Sequence, residues 1–351
     1  MSETMMAAVF KGDGVLVLEE RPVPEIKDSH DIKLAVKGVG VCGTDLHILE
    51  VPPRHPASKN VIIGHEFCGE VVEVGSAVTN CKPGDHITVD QNAACGHCDE
   101  CRRGVPNACT TILSAPVPGF SNTPGIFFDG ASAKYIVIPD YKAYPVAPHV
   151  PWHHIAVTEI VACAFNAVRK AKPEMGETAV VLGAGPVGLL ITSMLKTSGC
   201  RVISSEVAEF RRSVAKRVGA DVTVNPKEED LNQIVADLTN GKGAEIVVEA
   251  VGPLLNECID LARINGRVVL FGHDELARPV VHQALVMRKE LQILGAFNTK
   301  FTFSPVIRQM ELGMLPMDDV ISNVMPLDQI FEAHRMMRAG EALKIVIDPS
   351  M

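Results

Sequence analysis

The sequence predicts an α/β protein of two domains, one mostly β and one built around a doubly wound parallel sheet. Residues 5–40 alternate apolar and polar positions between glycines and prolines, a pattern typical of short antiparallel strands. From residue 151 onward, strand-like and helical segments alternate, and this order indicates βαβ units around a parallel sheet. A length of 351 residues agrees with two domains, because each can then bury its own core.

The individual elements follow from the same patterns. In the first domain, Glu66–Val74 is expected to be a strand, and residues 84–89 begin another after a turn. In the second domain, the pattern predicts strands at 178–182, 201–205, 221–224, 245–249 and 266–271, and helices at 187–197, 210–218, 231–239 and 254–261. After residue 295, helical segments at 304–312 and 327–338 precede a last strand at Lys344–Ile347.

The composition is that of an ordinary soluble protein, with 47% hydrophobic and 21% charged residues. The net charge of -9 provides no basic surface for nucleic acid or an anionic membrane. The N-terminus lacks a basic start followed by an apolar segment, and no apolar stretch reaches the ~18 residues that a membrane span needs. We therefore expect a cytoplasmic protein with neither nucleic acid nor a membrane as its partner.

Four of the ten cysteines form one cluster in the sequence. In a reducing compartment, clustered cysteines more often bind metal than form disulfides. Cys95, Cys98, Cys101 and Cys109 have spacings that let four thiolates surround one zinc tetrahedrally. Because the protein would fill all four positions, such a site is structural. An iron–sulfur cluster uses the same four thiolates and remains an alternative, whereas the acidic chain disfavours a nucleic-acid-binding zinc module.

A second set of metal-capable side chains lies earlier in the chain. One short turn carries a thiol at Cys42, a hydroxyl at Thr44 and an imidazole at His47, and His65 and Glu66 follow. A thiolate, an imidazole and a carboxylate would leave the fourth zinc position open for water or substrate, as in catalytic sites. The hydroxyl and the second imidazole could carry a proton to solvent. The alternative is a loop with a free cysteine and an unrelated surface histidine.

Residues 180–188 run from an apolar strand through G-x-G-x-x-G into a helix, the context that the dinucleotide-binding motif requires. Gly183 permits the tight turn, Gly185 lets the backbone approach the pyrophosphate, and Gly188 lets helix and strand pack closely. Pro186 and Val187 begin the helix, whose N-terminal N–H groups would face the phosphates.

Glu206 ends the next predicted strand, where an acidic residue binds the adenosine ribose hydroxyls of a dinucleotide. A carboxylate there would repel the 2′-phosphate of NADP, so NAD is the favoured cofactor. Arg211 and Arg212 lie nearby and slightly weaken the preference for NAD, and we include Arg211 among the candidate cofactor contacts. For both, a solvated charge on a helix is the favoured interpretation.

Together these features closely resemble the zinc-dependent medium-chain alcohol dehydrogenase superfamily along almost the full chain. The segments that carry the resemblance are Cys42-Gly-Thr-Asp-Leu-His47, Gly64-His65-Glu66, the cysteine cluster, residues 183–188 and Lys344–Ile347. The resemblance implies a GroES-like β-barrel catalytic domain from residues 1–152 and 296–351, with a structural zinc lobe at about 91–112. It also implies a Rossmann NAD-binding domain at residues 153–295 and an active site in the cleft.

The resemblance also assigns roles to residues. It implies that Cys42 and His65 bind the catalytic zinc, that Asp45 supports this metal site without being a ligand, and that Thr44 and His47 form the proton relay. For the remaining ligand, polyol and threonine dehydrogenases use the carboxylates that match Glu66 and Glu159, together with water, in varying combinations. The choice between these two carboxylates stays open, and a helix-start acid is the alternative role for the second.

We therefore expect two zinc ions per chain and reversible oxidation of a secondary hydroxyl on a polyol or sugar-like substrate, with hydride transfer to NAD+. Ile48 stands where sorbitol dehydrogenases have an aromatic residue, and Asn298 where they have a substrate-binding arginine, so sorbitol itself is not the favoured substrate. L-threonine 3-dehydrogenase is the alternative enzyme, and a non-catalytic zinc- and NAD-binding protein is the alternative of another class. The family suggests a homodimer or homotetramer.

Overall fold

The structure is a computed structural model that describes residues 3–117 and 120–351. The chain forms two compact units, which are Met1–Ile160 with Thr299–Met314 and Ile321–Met351, and Val161–Asn298 with Leu315–Val320. These bounds lie a few residues from the predicted division at 152 and 295, and residues 315–320 return to the second unit. No helix in the described part of the chain is long and apolar enough to cross a membrane.

The secondary structure follows the predicted alternation. The strands are β1 (Thr4–Gly12), β2 (Val15–Pro22), β3 (Asp31–Gly40), β4 (Val61–Ile62), β5 (Glu66–Val74), β6 (His86–Val89), β7 (Tyr135–Pro139), β8 (Ala143–Val146), β9 (Thr178–Leu182), β10 (Arg201–Ser205), β11 (Val222–Val224), β12 (Ala244–Glu249), β13 (Ala262–Leu270), β14 (Gln292–Gly295), β15 (Ile321–Pro326) and β16 (Lys344–Asp348). The helices are α1 (Gly43–Ile48), α2 (Asp99–Arg102), α3 (Trp152–Ala156), α4 (Thr158–Ala171), α5 (Pro186–Thr197), α6 (Glu209–Arg217), α7 (Leu231–Leu238), α8 (Leu255–Leu261), α9 (Gln283–Arg288), α10 (Phe303–Glu311), α11 (Met317–Val320) and α12 (Ile330–Ala339).

The first unit is built on two sheets. Within the described residues, one sheet has three strands in the order β2-β1-β4, and the other has seven, in the order β15-β16-β3-β5-β6-β8 with β7 paired to β3. Along β3, the side chains of Ile32, Leu34 and Val36 point into the core and alternate with partly exposed neighbours. This alternation has the period of two that a half-buried strand requires. The predicted antiparallel β architecture is confirmed.

The second unit contains a parallel sheet of six strands among the described residues, in the order β11-β10-β9-β12-β13-β14. All five residues of the central strand β9 are buried, because helices cover both faces of such a sheet. The strands predicted at 178–182 and 201–205 are confirmed with their bounds unchanged. The strand predicted to begin at residue 266 begins at Ala262 instead, since its first residues pair with β12 through a register shift.

Candidate active site

The first group of site residues gathers where three strands of the first unit meet. Gly40, the last residue of β3, pairs with Glu66 at the start of β5 and with Val346 of β16. The chain leaves β3 through Val41, whose N–H donates to the carbonyl of Ile345 at 2.9 Å. Because antiparallel strands place the end of one beside the start of the next, residues that flank β3 and β5 in sequence come together here.

The thiol of Cys42, the imidazole of His65 and the carboxylate of Glu66 converge at this junction. One donor atom from each lies within 4.8 Å of the other two. His65 and Glu66 are buried, and Cys42 is partly exposed. Sulfur, nitrogen and oxygen donors converging at one partly open point form a donor set that suits zinc with a position left for substrate. The residues present therefore fit a catalytic zinc.

Asp45 holds two of these residues in place. One carboxylate oxygen accepts the backbone N–H of Cys42 at 2.8 Å, and the other lies 3.3 Å from Nδ1 of His65. In metal sites, a carboxylate beside one ring nitrogen of a histidine commonly leaves the other ring nitrogen for the metal. Burial by itself lowers the pKa of His65, but the negative charges of Asp45 and Cys42 outweigh it and raise that pKa well above 6.5. The cluster therefore favours a bound cation.

A buried ion pair completes the junction. Nζ of Lys344 lies 2.8 Å from one carboxylate oxygen of Glu66 and 2.6 Å from the other. Burial lowers the pKa of Lys344, but the negative charges of Glu66 and Cys42 outweigh burial and raise it, so the ammonium stays protonated. Sequence analysis placed Lys344 only in the last strand, because nothing local to β16 shows that its first side chain faces a carboxylate.

Glu159, the other candidate for the carboxylate ligand, does not join the donor cluster formed by described residues. It lies in the first turn of α4 and is partly exposed. An acidic residue in that turn interacts favourably with the helix dipole. The geometry therefore places Glu66 among the converging donors and Glu159 outside them.

The two candidate relay residues lie on α1. Thr44 and His47 are three residues apart, a spacing that puts their side chains on the same face of a helix. Nδ1 of His47 lies 3.2 Å from a carboxylate oxygen of Glu50, and the other oxygen of that carboxylate is 2.9 Å from Nε of Arg54. The His47 side chain is 39% exposed, so it can exchange a proton with solvent. Sequence analysis did not single out Glu50 as its neighbour.

The four clustered cysteines converge as predicted. The sulfur of Cys98 lies 3.4 Å from that of Cys101 and 3.9 Å from that of Cys109, and the sulfurs of Cys95 and Cys101 are 4.0 Å apart. A tetrahedron with Zn–S bonds of ~2.3 Å has edges of about 3.8 Å, whereas a disulfide has an S–S length of ~2.05 Å. All four thiols are free, and their separations fit a closed zinc site.

The backbone of this lobe also supports the thiolates. The N–H groups of Cys95 and Cys98 donate to the sulfurs of Cys109 and Cys95, each at 3.4 Å. Hydrogen bonds from the N–H groups of Cys101 and Thr110 lower the pKa of Cys98 to about 6. Donated hydrogen bonds stabilise the anionic form of a thiol, which is the form that binds metal.

The glycine motif in the second unit has the geometry that a dinucleotide requires. Gly183 has a φ of +94°, a conformation that favours glycine. A Cβ on Gly188 would lie 2.0 Å from the carbonyl oxygen of Gly183, whereas a Cβ on Gly185 would meet nothing within 4 Å. Only the middle glycine faces open space, which leaves room for a pyrophosphate. Pro186 and Val187 form the first turn of α5, so its free N–H groups lie beside that space.

Glu206 follows β10 and lies against this turn. One of its carboxylate oxygens accepts the N–H of Ala184 and the other that of Ala208, both at 2.9 Å. The guanidinium of Arg212 donates a hydrogen bond to the backbone carbonyl oxygen of Glu206. Arg211 lies on α6, and among the described residues none forms a hydrogen bond or ion pair with its side chain.

Two family models match the chain. Residues 28–148 match the alcohol dehydrogenase GroES-like domain, and residues 186–311 match the zinc-binding dehydrogenase domain. An L-threonine 3-dehydrogenase from Pyrococcus horikoshii is 33% identical over 364 residues, which cover 99% of this chain and 99% of the relative. The chain belongs to the zinc-dependent medium-chain alcohol dehydrogenase superfamily. It falls in the polyol and threonine dehydrogenase branch.

Further similarities agree with this placement. A sorbitol dehydrogenase from Halalkalibacterium halodurans is 30% identical over 347 residues, which cover 96% of this chain and 97% of the relative. A solved structure described as a zinc-binding dehydrogenase from Sinorhizobium meliloti 1021, bound to NADP, has a TM-score of 0.91 and 29% identity, and covers 99% of this chain and 100% of its own. This medium-chain dehydrogenase is thus an enzyme of the alcohol and polyol dehydrogenase class, with a GroES-like domain and a Rossmann domain.

Proposed function

We propose that this dehydrogenase interconverts a secondary alcohol of a polyol or sugar-like substrate and the corresponding ketone with NAD(H). The convergence of Cys42, His65 and Glu66 to within 4.8 Å, beside the relay residues of α1, carries the proposal. The similarity to a sorbitol dehydrogenase supports a polyol as the substrate class.

In this proposal, Cys42 and His65 hold the catalytic zinc, and Asp45 keeps the imidazole in the binding orientation. When bound, zinc supplies a Lewis acid for the substrate oxygen, and NAD+ supplies the hydride acceptor. The hydroxyl of Thr44 would accept the proton of the substrate hydroxyl while its own proton moves on toward His47, and His47 would release a proton to water at the surface of α1. A second zinc in the four-cysteine lobe has a structural role only.

We propose NAD as the physiological cofactor, bound by residues 183–188 and Glu206 within a cofactor domain at 153–295. The carboxylate of Glu206 accepts two backbone N–H groups, which fix it beside the glycine turn, where an acidic side chain disfavours a 2′-phosphate. Arg211 would contact the adenosine side of the same cofactor. The structural neighbour from Sinorhizobium meliloti binds NADP, so the two cofactors need to be compared directly.

L-threonine 3-dehydrogenase activity is the second candidate. The relative of that name is 33% identical, against 30% for the sorbitol dehydrogenase. The sequence of residues Cys42–Ile48 also resembles that of the threonine 3-dehydrogenases. The chain offers no further feature that selects an amino acid over a polyol, so the substrate test must include both.

The deciding experiment follows NADH formation across a panel of polyols, cyclitols, sugar acids and L-threonine, with NAD+ and NADP+ in parallel and zinc content measured on the same sample. We expect turnover of a polyol or cyclitol with NAD+ and about two zinc ions per chain. The His65→Asn variant provides the background rate. Turnover of threonine alone would establish the second candidate. No turnover at all, with two zinc ions and bound NAD+, would instead support a non-catalytic protein.

We also propose that the enzyme works in the cytoplasm as a homodimer or homotetramer. All ten cysteines are free, which suits a reducing compartment. Strand β14 is the outer strand of the parallel sheet, and Gln292, Ile293 and Gly295 in it are exposed. An exposed strand edge can pair with a second copy of the chain. Light scattering on the purified enzyme tests this assembly, and a monomer at all concentrations would contradict it.

A further inference from the structure

The imidazole of His47 has a carboxylate beside one of its ring nitrogens. Nδ1 of His47 lies 3.2 Å from Oε1 of Glu50. At neutral pH a carboxylate accepts hydrogen bonds and does not donate them, whereas a neutral imidazole carries its single proton on one of its two nitrogens. The nitrogen that faces the carboxylate is therefore the protonated one, and Nε2 of His47 keeps a free lone pair.

The backbone and a second side chain both hold this carboxylate in place. Helix α1 ends at Ile48, and the loop after it turns back toward the helix. In this loop, the N–H groups of Glu50 and Arg54 donate to the carbonyl oxygen of His47, at 3.4 and 3.1 Å. Nε of Arg54 lies 2.9 Å from Oε2 of Glu50. One carboxylate oxygen thus faces the imidazole while the guanidinium fixes the other.

Stability does not account for this arrangement. The side chains of His47 and Glu50 are 39% and 32% exposed, and ion pairs at such exposure contribute little to the stability of a fold. The position of His47 offers another explanation. It lies three residues after Thr44 on α1, and α1 begins directly after Cys42, one of the converging donors. His47 is therefore the partly exposed end of a short series of polar side chains that starts at the donor cluster.

We propose that Glu50 is a positioning residue of the proton relay, and that it fixes the His47 tautomer in which Nδ1 carries the proton and Nε2 is free to accept one. The inference rests on the proposed function, in which Thr44 and His47 carry the substrate proton to solvent. A proton that arrives at Nε2 makes an imidazolium, whose Nδ1–H faces the negative charge of Glu50 and is stabilised by it.

The protons balance over one turnover. The imidazolium of His47 gains one proton from the side of Thr44 and releases one to water, so the net change at the ring is zero. The carboxylate of Glu50 favours the neutral form that keeps its proton on Nδ1, and this is the form that accepts the next proton. Without the carboxylate, part of the neutral imidazole carries its proton on Nε2 and must rearrange before it can accept another.

The test observes the tautomer directly on the zinc-loaded enzyme. Long-range proton–nitrogen correlation NMR of protein with ¹⁵N-labelled histidine distinguishes a protonated ring nitrogen from an unprotonated one. Spectra are recorded in mildly alkaline buffer, in which an ordinary imidazole is neutral. The signals that disappear in the His47→Asn variant identify His47. This readout needs neither substrate nor turnover.

The variant that tests the inference is Glu50→Met, which replaces the carboxylate with a side chain of similar length that has no oxygen acceptor. Glu332→Met is the matched control, because Glu332 is also a partly exposed glutamate that pairs with an arginine, Arg335, but it faces no residue of the relay. A third variant combines Glu50→Met with His47→Asn. Circular dichroism reports the folding of all three, and steady-state kinetics reports their rates.

We expect the wild-type enzyme to carry the His47 proton on Nδ1, and Glu50→Met to move a large part of it to Nε2. We also expect kcat to fall by about three- to tenfold in Glu50→Met, less than for a group that transfers the proton directly, because water reaches this position. Glu332→Met should keep the wild-type tautomer and rate. The double variant should be no slower than His47→Asn alone, because Glu50 acts through an imidazole that is then absent.

Several results would overturn the inference. These are a proton on Nε2 of His47 in the wild-type enzyme, an unchanged tautomer in folded Glu50→Met, and a double variant clearly slower than His47→Asn. A shifted tautomer with an unchanged kcat would also overturn it, since the relay would then not depend on the tautomer. If the tautomers are as expected but the enzyme turns over no substrate, only the proposed function is contradicted.

Discussion

The two metal-capable clusters of this dehydrogenase differ in how the chain builds them. The four sulfurs of the lobe come from residues 95–109 and lie 3.4–4.0 Å apart in the pairs that define the cluster. The junction cluster takes Cys42 from the turn after β3, His65 and Glu66 from the start of β5, and the charge of Lys344 from β16. The first set is complete within one local segment, and the second exists only when three strands pair.

The difference in construction corresponds to a difference in chemistry. Four thiolates at the corners of a tetrahedron leave no position for another ligand, so the lobe can bind metal but cannot present it to a substrate. The junction offers a smaller, mixed set of donors together with a cation that occupies one carboxylate. A metal bound there would have only the three donors Cys42, His65 and Glu66 from the protein, which would leave a fourth position for water or substrate.

The largest effect on structure is expected from removing one ligand of the four-cysteine lobe. Cys101→Ser removes one of four ligands from a closed site, and the segment at 91–112 has little other structure to order it. Structural zinc contributes roughly 10–16 kcal/mol of apparent binding free energy in isolated zinc modules. We expect the loss of one zinc per chain and fast hydrogen exchange of the amides in that segment. Cys81→Ser, a partly exposed cysteine outside both clusters, is the control and should keep both zinc ions.

The second largest effect is expected from His65→Ala, and it concerns catalytic activity rather than folding. His65→Ala removes a donor from the junction cluster, and we expect kcat/KM to fall by more than the 10–100-fold that is typical of residues one step from a metal. The lobe should keep its zinc, so metal analysis should find one ion per chain in place of two. Full activity with an unchanged metal content would show that the zinc site is assigned to the wrong residues.

Asp45→Asn tests the support of the same histidine. The amide keeps the size of the side chain but removes the negative charge 3.3 Å from Nδ1 of His65. We expect metal affinity and kcat/KM to fall by about 10–100-fold. Asp13→Asn is a matched control, because Asp13 forms an ion pair with Lys59 at an exposed position. Equal effects of the two substitutions would argue against a metal-supporting role for Asp45.

The smallest effect is expected at the surface end of the relay. His47→Asn removes the imidazole that faces solvent, and water can replace part of its role, so we expect kcat to fall by about tenfold. This is less than the ~10²–10⁴-fold contribution of a group that transfers the proton directly. His30→Asn, at an exposed histidine paired with Asp140, is the control. Steady-state rates at several pH values measure both, and an unchanged kcat in His47→Asn would remove His47 from the relay.

Several elements of this fold could be predicted because their signals are local. Glu66–Val74 and Thr178–Leu182 have the bounds that alternation or continuous burial indicated. The cysteine spacing alone indicated a four-sulfur site. The glycine motif indicated a tight turn, and Gly183 has the positive φ of +94° that such a turn requires. In each case, the residues that make the structure are near neighbours in the chain.

Other features could not be predicted from local patterns. Glu66 and Glu159 both matched candidate ligand positions, and only strand pairing places Glu66 among the donors, with Glu159 outside them. Glu50 was missed as the neighbour of His47, although a spacing of three residues on a helix was an available signal. Lys344 was predicted only as a residue of the last strand, and its ion pair with Glu66 was not predicted. Residues 315–320 group with the second unit although they follow the predicted domain end at 295, and no local pattern in the sequence indicated this.

The sequence by itself determined the succession of strands and helices, the four-thiolate lobe, the dinucleotide turn and the family. These depend on periodicity and on contacts between residues a few positions apart. The tertiary structure alone decided which carboxylate faces Cys42 and His65, and which cation holds it. That choice depends on the pairing of β3 with β5 and β16, and the pairing brings together side chains that are nearly three hundred residues apart.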